Sequence, residues 1–181
     1  MRILSLIFCI FLFSTCKKDE PPKFYYGEVS VKLNGQNFVR EVEAISADTN
    51  HPNSFGIWLK EIKQLSKDVS IESEILSINA LKIFHKQYLK RYDFSPNAKN
   101  DKNAMFSTYL SDGDVIGDVY YINENAKTEN FLEITQENSG FKEIWGNFQF
   151  EMTRDSLQKD QNSPYPDTLK FTEGKFHVYF K

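Results

Sequence analysis

The residue best placed to do chemistry is Cys16, which stands where an apolar stretch gives way abruptly to charge. Arg2 supplies a short basic beginning, residues 3–13 are apolar apart from Ser5, and Lys17 follows the cysteine directly. An apolar run of this length suits the core of a secretory signal, whereas a membrane-spanning helix needs about 20 residues. The pattern therefore predicts a leader that is removed, with Cys16 at its boundary.

Residues 12–16, LFSTC, resemble the lipobox of bacterial lipoproteins, in which the signal peptide is cut just before the cysteine. The resemblance implies that residues 1–15 are a lipoprotein signal peptide and that Cys16 carries acyl chains. Phe13 stands where leucine is commonest, and Thr15 where glycine or alanine is usual. The alternative is an ordinary cleaved signal in which Cys16 is incidental.

The residues after the cysteine bear on where the protein is exported. Residues 17–20, KKDE, are similar to the short charged tag that follows the lipidated cysteine in Bacteroidota lipoproteins and directs their export to the cell surface. The simpler alternative is a solvated tether, which Pro21 and Pro22 would keep extended. We expect residues 16–26 to form a lipidated tether that anchors the protein in the outer membrane of the cell envelope, with surface exposure if the tag acts as one.

Composition excludes several classes of function. If Cys16 is acylated and Cys9 leaves with the leader, the mature protein has no thiol, so disulfides, thiolate metal sites and a cysteine nucleophile are excluded. The formal net charge of −3 over 181 residues argues against nucleic acid as a partner. No phosphate-binding glycine loop occurs, and no cofactor is predicted.

The other polar residues form no recognisable catalytic or metal site. The histidines, His51, His85 and His177, lack the spacing of a metal site on a helix or strand. The best acidic cluster for a cation is residues 112–114, Asp-Gly-Asp, with Asp118 beyond, but that pattern is more typical of a hairpin turn. A carboxylate pair for glycoside hydrolysis is spatial, and no pair stands out in the sequence.

Aromatic side chains on strand faces are a further candidate binding surface, because such rings stack on sugars or anchor a partner protein. The interpretation that we favour is that these aromatic side chains cover the core or the ends of the domain. The residues concerned are Trp58, Trp145, Tyr120, Tyr121, Tyr165 and Tyr179.

Short strands must position all these residues. Alternation of apolar and polar residues predicts strands near residues 27–33, 36–47, 55–59, 69–78, 104–110, 115–122, 131–135 and 144–152, then around 169–171 and 176–180. Asn34-Gly35 predicts a tight hairpin between the first two. Neither face of residues 36–47 is cleanly apolar, which indicates a bulge or an edge strand.

The secondary structure of residues 61–92 is ambiguous, because their apolar residues fit both the helical period and the two-residue period of a strand. We expect a short helical turn near residues 62–67 and leave residues 81–92 unassigned. A break at residues 173–174 shifts the apolar register by one, which requires a bulge or a tight turn. The prediction is a mostly-β fold: one domain over residues 27–181, an antiparallel β-sandwich or flattened β-barrel of about nine or ten short strands, with at most one or two short helices.

The C-terminal motifs carry a second resemblance. Gly146-x-Phe148-x-Phe150 and Thr172-x-Gly174-x-Phe176 look like the G-x-F-x-F and T-x-G-x-F patterns of small uncharacterised Bacteroidota outer-membrane lipoproteins. The resemblance implies an all-β domain and no activity. Our first expectation is therefore a non-enzymatic binding or accessory module that recognises a protein or glycan ligand. The alternatives are a glycan-acting hydrolase with an unrecognised carboxylate pair and a β-barrel that carries a lipid or another small ligand.

Overall fold

A computed structural model describes residues 27–46, 53–67, 69–95, 98–110, 115–138 and 140–180. The predicted signal peptide, the tether with Cys16, His51 and the Asp-Gly-Asp turn at residues 112–114 lie outside these residues. The described chain is all-β and has no helix, which confirms the predicted fold class. Over that same part of the chain, no helix is long and apolar enough to span a bilayer.

Eleven strands form one antiparallel sheet. They are β1 (Gly27–Leu33), β2 (Gln36–Phe38), β3 (Glu41–Ser46), β4 (Ser54–Ser66), β5 (Val69–Leu81), β6 (Lys86–Tyr88), β7 (Asn103–Tyr109), β8 (Ile116–Ile122), β9 (Phe131–Asn138), β10 (Glu143–Arg154) and β11 (Thr168–Tyr179).

The strand order curls the sheet around a core. It runs β2-β1-β11-β10-β8-β7-β5-β4-β3, with β9 and then β6 branching from β10. The first half of β10 pairs with β9, and its last residues, from Met152, pair with β8. The two ends of the order, β2 and β3, are joined through Val39 and Arg40, so the chain itself brings the ends of the sheet together. The result is one curled sheet, consistent with the predicted β-sandwich or flattened barrel, with two corners, one at β5 and β6 and the other at β1 and β3.

The interior is filled by aromatic and aliphatic side chains from every long strand. Phe106 is fully buried near its centre, with ring centroids 6.1 Å from Phe171 and 6.2 Å from Phe38. Each buried side chain of this size contributes about 1.5–3 kcal/mol. Gly146 of the G-x-F-x-F motif is required for packing, because a Cβ there would lie 2.3 Å from the ring of Phe176. The motif is thus a packing pattern.

Several strand predictions are confirmed. Val31 and Leu33 point into the core from β1, and Phe148, Phe150 and Met152 do so from β10. The break in the last strand is a bulge within β11: Glu173 adopts φ 55°, and the register to β10 shifts between Phe148 and Phe150.

The helical turn near residues 62–67 is wrong, because those residues belong to β4 and pair with β5 as far as Ser66. The register shifts twice, between Glu61 and Ile62 and between Gln64 and Ser66. The first shift places an extra residue, Ser73, in β5, and the second places an extra residue, Leu65, in β4. Ile62 and Leu65 are both exposed, three positions apart, which imitates the spacing of a helix.

Two further differences each add a strand to the ten predicted, while the predicted strands at residues 169–171 and 176–180 form the single strand β11, so the total is eleven. The predicted strand at residues 36–47 is divided into β2 and β3, which occupy the opposite edges of the sheet, so the expected edge position is confirmed. Within residues 81–92, β6 pairs with β9. Three residues of β6 are too few for a periodic signal, which explains why the sequence did not reveal it.

Candidate ligand-binding groove

The site that we consider is a groove of about 720 Å³ at the β1/β3 corner. It is lined by Gly27, Glu28, Val29, Val39, Arg40, Glu41, Val42, Lys60, Glu61, Ile62 and Tyr179. We call it the seam groove. A larger depression, of about 1050 Å³, is lined by residues 90–95 and 98–102 and by Glu124, but its lining is predominantly polar.

The seam groove exists because one stretch of chain serves two strands in turn. After the Asn34-Gly35 turn, β2 pairs with residues 31–33 of β1 and ends at Phe38. The chain then diverges at Val39 and Arg40, and β3 pairs with β4 instead. Among the described residues, no strand pairs with residues 27–30 of β1 on the side away from β11. The divergence therefore leaves a wedge between two strand edges.

Arg40 occupies the floor of this wedge and is held by charge and by an aromatic ring. Its Nε and Nη2 atoms donate hydrogen bonds to Oε2 of Glu74, at 3.0 Å for Nε, and Nη1 donates to the Val39 carbonyl at 2.8 Å. The guanidinium lies 4.2 Å from the ring centroid of Phe38. Nη2 also lies 3.8 Å from Oε1 of Glu61. The guanidinium is therefore held by carboxylates of β4 and β5 and by the backbone carbonyl of the preceding residue.

Tyr165, from the connection between β10 and β11, completes this network. Its hydroxyl donates a 2.6 Å hydrogen bond to Oε1 of Glu74, so both oxygens of that carboxylate accept from the protein. Burial, and then the hydrogen bond to Glu74, raise the pKa of the Tyr165 hydroxyl. Burial acts to lower the pKa of Arg40, but the hydrogen bond and charge of Glu74 outweigh it, and the pKa is raised. The network thus keeps a charged guanidinium and a neutral phenol.

Lys60, the second cation of the seam groove, is also paired. Its Nζ lies 2.7 Å from Glu43 and 2.9 Å from Glu72, and it sits 4.8 Å from the ring centroid of Trp58. Burial acts to lower the pKa of Lys60, and the hydrogen bonds to Glu43 and Glu72 raise it overall. Both cations are therefore already neutralised by carboxylates of the protein.

Two carboxylates of the seam groove are in the opposite situation. Glu28 and Glu41 are exposed and make no ion pair or hydrogen bond with any described residue. Beside them are apolar side chains that water reaches: Val39 is 77% exposed, Ile62 45% and Tyr179 41%. The seam groove thus offers apolar walls and negative charge that has no partner.

The aromatic residues proposed from sequence do not share one surface. Tyr120 and Tyr121 are buried, so they are not exposed on a strand face, and Tyr165 belongs to the floor of the seam groove. Trp145 is partly exposed on the outer face of β10 and does not line the seam groove; it stacks on His177 with ring centroids 4.3 Å apart, and His177 in turn contacts Tyr179 with centroids 5.7 Å apart. Of the set, only Tyr179 lines the groove directly.

The histidines and the acidic cluster are equally dispersed. His177 faces outward as expected, and its Nε2 lies 2.7 Å from Oε1 of Glu143, while His85 is exposed. Asp118 is buried beside Arg154, with 3.6 Å between Oδ1 and Nη1. In the described ranges, no three His, Cys, Asp or Glu side chains are arranged to hold a metal ion.

Sequence reasoning missed Arg40, although a signal was present. Alternation places Arg40 on the same face of its strand as Phe38, Val42 and Ala44, which are buried. A cation on an apolar face requires a carboxylate partner. The identity of that partner, Glu74, is 34 positions away and had no local signature.

Comparison with known proteins gives no relative: no family model, no curated protein and no solved structure matches the chain. The seam groove and the predicted leader are therefore the two features that bear on function.

Proposed function

We propose that the protein is an outer-membrane lipoprotein, anchored through Cys16, whose β domain binds a protein or glycan ligand in the seam groove without catalysing a reaction. The observation that supports binding is that one groove combines exposed apolar walls with two carboxylates that have no partner among the described residues. Ligand sites are typically concave, with apolar walls and a few polar groups that fix the orientation of the ligand.

The charged floor of the seam groove favours binding over hydrolysis. Glu61 and Glu74 are the two carboxylates that converge there, on the same guanidinium. Glycoside hydrolysis needs one carboxylic acid that carries a proton for the leaving group. Glu74 accepts from Arg40 and Tyr165, and Glu61 accepts from Ser73 at 2.7 Å, so both are held as acceptors.

The packed interior favours surface recognition over a carrier role. The space that a lipid would need inside the barrel is taken by rings such as Phe106, Phe150 and Phe171, each fully buried. Carrier barrels instead keep an internal cavity for their ligand.

Anchoring is tested with Cys16→Ala. Wild-type protein should incorporate labelled palmitate and sediment with the outer membrane, and the variant should do neither. Cys9→Ala is the matched control, because Cys9 lies within the predicted leader, and it should behave as wild type. Palmitate labelling of the Cys16→Ala variant would contradict the anchor.

Binding is tested with the full-length protein in detergent on arrays of peptides and glycans. Ligands bound by wild type should be lost by Val39→Glu, which places a charge on the groove wall. Leu157→Glu is the control, because Leu157 is exposed in the β10–β11 connection and does not line the seam groove. Equal loss in both variants, or no bound ligand at all, would contradict the seam groove as the binding site.

A further inference from the structure

The backbone of β1 presents an unused pairing edge to the seam groove. In a two-residue hairpin the flanking residues exchange both backbone hydrogen bonds, so Leu33 points its N–H and C=O groups toward β2. Asn34 points the other way, since its N–H donates to the Lys170 carbonyl on β11 at 2.8 Å. Because the backbone groups alternate along a strand, the N–H and C=O groups of Val29 also point toward the β2 side, where β2 is no longer present.

This alternation holds along β1 because the irregularity in its pairing with β11 lies on the other strand. Between Ser30 and Lys32, two steps of β1 correspond to three steps of β11, from Lys175 to Thr172. The extra residue therefore belongs to β11, at the Glu173 bulge. The N–H and C=O of Val29 consequently open into the seam groove, on an edge of four residues, or roughly 13 Å.

An unpaired edge of this kind is a template for strand addition, in which main-chain hydrogen bonds give affinity and side-chain pockets give specificity. The apolar wall residues Val39 and Ile62 can receive alternate side chains of an added strand. The charge of the occupant can be inferred from which charged side chains of the groove already have a partner. Arg40 and Lys60 have carboxylate partners, whereas Glu28 and Glu41 have none among the described residues. An incoming cation therefore gains an ion pair, and an incoming anion meets repulsion.

We propose that the seam groove binds an extended peptide segment of a partner protein by strand addition to β1, with a Lys or Arg side chain of that segment beside Glu28 and Glu41. This inference rests on the seam groove being the binding site. A second copy of the chain is the less favourable occupant, because two seam grooves would bring the same unpaired carboxylates together.

The test uses three dye-labelled, capped heptapeptides and the full-length protein in detergent. The first alternates valine and threonine around a central lysine, the second has glutamate in place of that lysine, and the third keeps the lysine but has alternate backbone amides N-methylated. Fluorescence anisotropy at low salt gives each affinity. We expect the lysine peptide to bind at least tenfold more tightly than either of the others. The glutamate peptide meets repulsion from Glu28 and Glu41, and N-methylation removes backbone donors of the added strand.

Charge-reversal variants test whether Glu28 and Glu41 are the carboxylates that select a basic peptide. The double variant Glu28→Lys/Glu41→Lys should prefer the glutamate peptide. The control, Glu124→Lys/Glu173→Lys, makes the same change in net charge at exposed positions outside the groove, and it should keep the preference for lysine. In the wild type, the amide resonance of Val29 should shift on binding. Unchanged dispersion of the other amide resonances shows that each variant is folded.

The results that would contradict the inference can be told apart. Equal binding of the lysine and N-methylated peptides overturns strand addition, and reversal of preference by the control pair overturns the roles of Glu28 and Glu41. If no peptide binds while an array ligand still depends on Val39, this inference fails and the proposed function stands. Self-association that Glu28→Lys/Glu41→Lys changes would identify a second copy as the occupant and overturn the partner segment.

Discussion

The two corners of the barrel solve the same problem in different ways. At the β5/β6 corner, the side chain of Gln87 takes the place of a strand: its Nε2 donates to the Leu81 carbonyl at 2.7 Å and its Oε1 accepts from the Leu81 N–H at 2.8 Å. Leu89 and Lys90 then donate to the carbonyls of Asn130 and Lys102. At the β1/β3 corner, no described side chain satisfies the Val29 edge in this way.

The difference shows that a barrel can close without a continuous ladder, provided that a buried amide copies the backbone. Gln87 is only 3% exposed and satisfies both polar groups of one residue. Arg40, by contrast, donates its hydrogen bonds to Glu74 and to the Val39 carbonyl. It therefore fills the floor of the seam groove and leaves the edge of β1 without a pairing partner among the described residues. The open corner is therefore a consequence of which polar side chain lies there.

Gln87→Leu should give the largest effect, because it removes the closure of the first corner. The variant leaves the N–H of Leu81 without its partner, at a cost of about 1–3 kcal/mol. It also removes one of the two hydrogen bonds that the Leu81 carbonyl accepts, at a further cost of about 1 kcal/mol, while the bond from the Ile83 N–H, at 2.9 Å, remains. We expect a loss of about 2–4 kcal/mol in the free energy of unfolding, measured by urea denaturation. Gln64→Leu, an exposed change at the end of β4, should alter stability little, and equal losses in the two variants would show that Gln87 closes nothing.

Glu74→Gln should have a smaller effect at the open corner. It removes the charge that neutralises Arg40, whose side chain is mostly but not fully buried, so we expect a loss of about 1–3 kcal/mol after allowance for solvent screening. The matched control is Glu173→Gln, which breaks the exposed pair with Lys32 at 2.8 Å and should change the free energy of unfolding by less than about 0.5 kcal/mol. A Glu74→Gln loss as small as that of the control would show that the floor of the seam groove is not held by charge.

Tyr165→Phe tests the same floor through pH. The raised pKa of Tyr165 means that the folded protein keeps the phenol neutral after the unfolded chain has ionised. This contribution to stability is complete below about pH 10 and is lost as the pH rises beyond it. Wild type should exceed the variant by about 1 kcal/mol at neutral pH, and the difference should shrink above pH 10.

The measurement for Tyr165 is the urea midpoint from pH 7 to 11. Tyr179→Phe is the control, because that ring is exposed, and its difference from wild type should not follow the same course. A Tyr165→Phe difference that stays constant with pH would contradict the hydrogen bond to Glu74.

Glu143→Gln should have the smallest effect, because the pair with His177 joins β10 and β11, which already share a long ladder. The hydrogen bond from His177, and then that from Asn138, lower the pKa of Glu143 below its usual 4.5. The pair therefore contributes stability above about pH 4.5, and that contribution is lost as the pH falls through the lowered pKa. The urea midpoint of wild type should approach that of Glu143→Gln between pH 5 and 3, and parallel profiles would argue against the pair.

The regular parts of the fold were predictable because their signals are local. Phe148, Phe150 and Met152 alternate with polar residues along β10, and Asn34-Gly35 specifies a turn that only residues tolerant of positive φ can make. The bulge at Glu173 was also visible, as a one-residue shift of the apolar pattern. The prediction of a helical turn at residues 62–67 failed because Leu65, the extra residue of an irregularity in β4, lies exposed three positions after Ile62 and so imitates helical spacing.

The seam groove depended on information that is not local. Arg40 on an apolar face indicates that a carboxylate must be near, and the sequence contains many. Tyr165 and Glu74 are 91 positions apart, and only the closing of the barrel places one hydroxyl against one carboxylate.

The amino-acid sequence by itself determined the all-β class, the first hairpin and the inward faces of the long strands, because alternation and turn chemistry depend on neighbouring residues. It also carries the Cys16 leader on which the anchoring proposal rests. Only the tertiary structure decided that one corner is closed by Gln87 and the other is open beside Arg40. The physical reason is that strand order, and hence which edges remain unpaired, is set by contacts between residues far apart in the chain.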